Sequence, residues 1–136
     1  MADRFVLDAY AVLALLGNEA GADEVTAIVS APQNEVLMSA INVGEVHYIL
    51  SRRAGPDRAR RAEDAVYGHP RVRVAEATRD RIRAAAELKA AGGLSLADAF
   101  AASLAQEHDA VLVTGDPEFK PLESRGLHVQ WLTPGA

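Results

Sequence analysis

Short apolar runs alternate along this chain with longer segments in which apolar residues recur at helical spacing. Phe5-Val6-Leu7, Val36-Leu37-Met38, Val111-Leu112-Val113 and Val129-Gln130-Trp131-Leu132 are too brief for helices, and each reads as a strand. Val72-Arg73-Val74 adds another, and its alternation predicts a less buried position. Ala11 through Leu16 holds too much Ala and Leu for a strand, so a helix is expected from Ala9 to Leu16, closed by Gly17-Asn18. Val25, Ile28 and Val29 set a second helix over 20–31, ended by Pro32. Ser39 is placed to cap a third, running through Ile41 to about Arg53, and Pro56 suits the first turn of a fourth over 57–68. Thr78 opens a fifth to about Ala91, stopped by Gly92-Gly93, Ser95 caps a sixth over 96–107, and Pro117 begins a short one. The alternation predicts an α/β fold, a three-layer α/β/α sandwich around a parallel, mostly five-stranded sheet. No repeat or low-complexity linker interrupts it, so residues 1–136 are expected to form a single domain.

Composition narrows the function classes. With no cysteine, disulfides, thiolate metal sites and cysteine nucleophiles are excluded. No apolar run approaches the roughly 20 residues that span a bilayer, and the start of the chain lacks signal-peptide character. A cytoplasmic protein without a membrane partner is the expectation. A net charge of −5 argues against a dedicated polyanion binder, yet ten of the fourteen basic residues fall between Arg52 and Arg83. That zone reads either as a local polyanion surface or as a solvated helix face balanced by Glu63, Asp64, Glu76 and Asp80.

The candidate chemistry lies in carboxylates set in apolar surroundings. Asp8 and Asp116 sit just past predicted strands, and ligands of a parallel α/β sheet bind beyond the strands' carboxyl ends. Glu45 and Asp98 fall on the apolar stripes of helices that start near the same edge. Taken singly, Asp8, Asp98 and Asp116 are also ordinary helix-start residues, and Glu45 is readable as a partly exposed charge. Taken together, four acids at one edge would repel unless a hard divalent cation, Mg²⁺ or Mn²⁺, joined them. Such a site suits phosphodiester hydrolysis.

Val6-Leu7-Asp8-Ala9, Asn42-Val43-Gly44-Glu45, Leu94-Ser95-Leu96-Ala97-Asp98-Ala99 and Leu112-Val113-Thr114-Gly115-Asp116-Pro117-Glu118-Phe119 occur in this order. Together they resemble the PIN-domain ribonucleases, specifically VapC-type toxins of toxin–antitoxin pairs. The resemblance spans essentially the whole chain. It implies a Mg²⁺/Mn²⁺-dependent endoribonuclease with Asp8, Glu45, Asp98 and Asp116 as its acidic site. By the same analogy, Asp8 and Asp98 are the main direct metal ligands, Asp116 ligates partly through water, and Glu45 ligates or orients the attacking water. Thr114 would hold Asp116 or a water by its hydroxyl. The implied partners are an RNA substrate, a cognate antitoxin and a second copy of the chain.

One position departs from the family pattern, which commonly has Ser or Thr two residues after the first Asp. Here Tyr10 stands there, and it reads either as a groove-lining residue that stacks on a base or as an aromatic packed under its helix. The departure keeps open an alternative, a PIN-like protein that binds RNA or a partner without cutting. A phosphoacceptor module would want paired acids after the first strand, and a haloacid-dehalogenase pattern needs Asp-x-Asp; Asp8-Ala9-Tyr10 supplies neither. His47, His69, His108 and His128 lack metal spacing and read as structural or surface groups, and Trp131 as core or dimer surface.

Overall fold

β1 (Arg4–Leu7) runs through the middle of the sheet, which explains why its last residues are apolar without alternation. In the computed structural model, which describes residues 3–133, β1 is flanked by β2 (Glu35–Ser39) and β4 (Val111–Thr114). β3 (Val72–Ala75) lies outside β2, and β5 (Val129–Trp131) lies outside β4. The strand order, which the sequence left open, is β3-β2-β1-β4-β5, and all four pairings are parallel, as the sequence predicts.

The register sorts side chains between two cores. Val6 is paired with Leu37 and with Leu112, and these three join one apolar cluster. Leu7 is paired with Val113, and both join the other cluster with Val36 and Met38. Period-two alternation therefore survives in the strands, but both faces are dry, so it shows as contiguous apolar sequence. β3 is an edge strand whose Arg73 is exposed between half-buried Val72 and Val74, in line with its alternating sequence.

Helices cover both faces. α1 (Ala9–Leu16), α2 (Ala22–Ser30), α3 (Ala40–Ala54) and α4 (Pro56–Tyr67) place Val12, Val25, Val46 and Val66 on the Leu7–Met38 side. α5 (Arg79–Ala90), α6 (Leu96–Glu107) and α7 (Lys120–Glu123) place Ala85, Phe100 and Leu122 on the Val6–Leu112 side. The expected caps form: Ser39 Oγ accepts from the Ile41 amide, Thr78 Oγ1 from Arg81 and Ser95 Oγ from Asp98. Two local details sharpen the sequence reading. The left-handed residue after α1 is Asn18 (φ 49°), with Gly17 at an ordinary negative φ. After β4 the chain first makes a 3₁₀ turn, Pro117–Phe119, pinned by the fully buried Phe119, and only then enters α7.

Trp131 is half-buried against the Val6–Leu112 core, and its Nε1 donates to Glu123 at 3.0 Å. His47 Nδ1 lies 2.8 Å from Glu63 Oε1, joining α3 to α4, and His69 Nδ1 accepts from the Arg71 amide. Among the described residues no helix is long and apolar enough to cross a membrane.

Candidate active site

The sheet order reverses at β1: the chain steps outward to β2 and β3, then returns to β1's other side with β4. A crevice opens beyond the carboxyl ends of strands at such a reversal. Asp8, the first residue after β1, and Thr114, the last of β4, meet there.

Asp8 is almost fully buried and tightly held. It is the N-cap of α1, its Oδ1 accepting from the Ala11 amide at 2.9 Å, while Oδ2 accepts from the Thr114 hydroxyl at 2.5 Å. Thr114 Oγ1 in turn accepts from the Asp116 amide at 3.0 Å. One hydroxyl thus links the carboxylate after β1 to the backbone of the acid after β4. Asp116 caps the 3₁₀ turn, its Oδ1 accepting from the Glu118 amide at 3.0 Å.

α6 brings its first turn to the same edge. Asp98 is buried there, and carboxylate oxygens of Asp98, Asp116 and Glu118 all lie within 4.8 Å of one another. Glu45 arrives from α3, half-buried. Asn42, one turn earlier and fully buried, donates through Nδ2 to Glu45 Oε1 at 3.2 Å and to the Ala97 carbonyl at 3.1 Å. Asn42 therefore ties α3 to α6 and fixes Glu45 toward the site.

The electrostatics show that the acids share one environment. Burial pushes the Asp8 carboxyl up to about 7; the Thr114 and Ala11 donors oppose that rise, and the charges of Asp98 and Glu45 add to it. Asp98 is likewise pushed up to about 7, chiefly by burial, with Ser95 opposing and Asp116, Glu118 and Glu45 adding. Glu45 is raised by burial and by Asp116, against the Asn42 donor. Carboxylates held near neutrality by burial and mutual repulsion, offering only oxygen donors, fit a hard divalent cation.

The four acids expected from sequence are thus distributed as follows. Asp98 and Asp116 lie within reach of one cation, while Asp8 and Glu45 stand outside that oxygen cluster and feel its charge. The sequence reading missed Glu118 as the third member and gave Asn42 no role. Glu118 was readable only as part of a helix start; its register on a 3₁₀ turn, not its type, brings it round.

Tyr10 does not take the place of a small hydroxyl residue. Its ring lies against Gly115, where a Cβ would overlap Cε1 and Cζ, and the residue stays 41% exposed at the pocket's rim. Gly115 is needed for that close approach, since its φ is unexceptional.

Residues 5–123 match the PIN domain family. The chain belongs to the PIN-domain family. Solved structures agree on the fold. VapC20 of Mycobacterium tuberculosis, described as a Sarcin-Ricin loop cleaving toxin, superposes with a TM-score of 0.73 at 23% identity, covering 90% of this chain and 95% of that one. VapBC2 of Rickettsia felis, bound to a promoter DNA fragment, gives 0.72 at 16% identity over 96% and 99% of the two chains. VapBC-1 of nontypeable Haemophilus influenzae gives 0.68 at 20% identity over 94% and 97%. No curated protein matches the chain. The expected architecture and family are therefore both found; what this PIN domain shares with the VapC toxins is their fold.

Proposed function

We propose that this PIN domain is a Mg²⁺- or Mn²⁺-dependent endoribonuclease, the toxin of a toxin–antitoxin pair. The observation that carries the reading is the cluster of carboxylates beyond β1 and β4, where Asp98, Asp116 and Glu118 approach one another within 4.8 Å and burial pushes Asp8 and Asp98 each up to about 7. Asp98, Asp116 and Glu118 would hold a cation between them, with Asp8 as a further ligand from across the cluster and Glu45 as ligand or orienter of the attacking water. A bound Mg²⁺ or Mn²⁺ supplies water activation and charge neutralisation on the phosphodiester. The chain's own contribution is positioning. Thr114 and the α1 amide fix both oxygens of Asp8, Asn42 aims Glu45, and Ser95 holds the start of the helix that carries Asp98.

Similarity to VapBC complexes supports a cognate antitoxin as partner; a cytoplasmic setting, a homodimer and a single catalytic unit over residues 1–136 belong to the same proposal by resemblance to the toxin family. The test is incubation of total RNA with the purified protein and Mg²⁺ or Mn²⁺. Fragments are expected with metal, none with EDTA, and none from Asp8→Asn. Full cleavage by Asp98→Asn would refute the site assignment. RNA binding in EDTA, without fragments under any metal, would instead favour a non-cleaving PIN protein.

A further inference from the structure

The fold sorts the arginine-rich zone into two groups. Arg73 pairs with Glu35 at 2.7 Å, Arg81 with Glu107 at 3.1 Å, and Arg71 donates to three backbone carbonyls. Among the described residues, Arg53, Arg58 and Arg61 make no salt bridge. They line adjoining clefts between α1, the end of α3, and α4. One cleft, of about 370 Å³, has Tyr10, Leu13, Glu19 and Arg53 in its walls; the next, of about 350 Å³, shares the last three and adds Arg58 and Arg61. Tyr10, whose ring rests on Gly115 between Thr114 and Asp116, also lines the first cleft and so connects it to the acidic cluster. Cations left without internal partners, in line with an exposed aromatic ring, are the combination that holds single-stranded nucleic acid.

We infer that these clefts seat the RNA strand flanking the scissile bond, with one base stacked on Tyr10 and successive phosphates on Arg53, Arg58 and Arg61. The inference rests on the proposed ribonuclease activity for the identity of the polyanion. The acidic cluster repels phosphate except at its cation, so the backbone needs a basic exit, and Arg53 shares a cleft with Tyr10. Glu19, in the shared wall, opposes the arginines and limits where a phosphate can sit.

The test is fluorescence anisotropy of a labelled single-stranded oligoribonucleotide in EDTA, where binding is read without the metal centre. Replacing Arg53, Arg58 and Arg61 together by Gln is expected to weaken binding at least about tenfold and to flatten the log–log salt slope by about 2, or 0.7 for each lost phosphate contact. Tyr10→Leu is expected to weaken binding about fivefold or more while Tyr10→Phe retains it, and Glu19→Gln should tighten it. Circular dichroism and melting of each variant separate these effects from misfolding. Unchanged affinity and slope in the triple variant overturn the inference. So does a triple variant that binds RNA normally but no longer binds the cognate antitoxin, since the clefts would then be a protein-docking surface. A wild-type protein that binds RNA through the clefts but never cleaves it would overturn the proposed activity and leave the clefts' role standing.

Discussion

The hydroxyl of Thr114 donates to Oδ2 of Asp8 while accepting from the Asp116 amide, so one small side chain positions an acid after each of two adjacent strands. Thr114→Val keeps the shape and removes both contacts. Asp8 then loses a donor that opposes its upward shift, and the Asp116 amide loses its acceptor. The expected result is a loss of about 1–3 kcal/mol in urea unfolding, together with weaker Mn²⁺ binding by calorimetry. Thr114→Ser should restore most of both. An unchanged Mn²⁺ affinity in Thr114→Val would show that the hydroxyl is not a site residue.

The raised carboxyls make stability depend on pH in a definite direction. Asp8 and Asp98 sit at about 7 in the folded protein against 3.8 ordinarily, so between those values the folded state binds more protons than the unfolded one. In EDTA the protein should therefore become less stable as pH rises from about 4 to about 7, with the loss complete above that window. A divalent cation binds the ionised form, so its stabilising effect should be larger at pH 7.5 than at pH 5. Asp98→Asn should melt higher than wild type in EDTA at pH 8 while losing cleavage. Melting temperatures that are flat across this range would contradict the burial of these groups.

Tyr10 should be dispensable for the metal. Its ring lies on Gly115 and its phenol makes no hydrogen bond to the acids among the described residues, so Tyr10→Ser is expected to leave Mn²⁺ affinity within about twofold of wild type. Gly115→Ala should push the ring outward. The double variant Tyr10→Ser/Gly115→Ala should then cost less than the two single changes summed, by about 0.5 kcal/mol or more in a urea double-mutant cycle. Simple additivity would mean that the ring and Gly115 are not in contact in solution.

Far from the site, Arg71 donates to the carbonyls of Val29, Ala31 and Asn34 at 3.2, 2.6 and 3.2 Å. It closes the end of α2 and the turn into β2 with a guanidinium that has no carboxylate partner among the described residues. Arg71→Ala should cost about 1–3 kcal/mol in unfolding, and Arg71→Lys nearly as much, because an ammonium cannot span three carbonyls. Cleavage measured well below the melting temperature should be unchanged in both.

The strands and most helix limits could be read from sequence because buried parallel strands and capped helices leave compact local signals. Asp8 and Asp116 were legible as candidates only jointly: each is also an ordinary helix-start residue, and it is their common position past strands of one parallel sheet that marked them. Glu118 was not, because Asp116-Pro117-Glu118 has the form of any helix start, and only the 3₁₀ geometry decides where the third residue points. Asn42 was hidden differently. Its partners are Glu45, three residues on, and the Ala97 carbonyl, 55 residues away, and backbone acceptors carry no mark in a sequence. The fit of Tyr10 against Gly115 likewise spans β1 and β4 and depends on the missing Cβ of a glycine with an ordinary φ.

The strand order carries a consequence for how the protein comes into being. β1 is made first, yet its second neighbour, β4, starts only at Val111, and Asp8 finds its hydroxyl partner only at Thr114. A nascent or truncated chain that ends before β4 holds Asp8 and Glu45 but neither Thr114 nor Asp116, and one side of β1 is left unpaired. The acidic centre is thus assembled only once β4 and Asp116 have been synthesised, so translation products that stop short of them carry none of its complete chemistry.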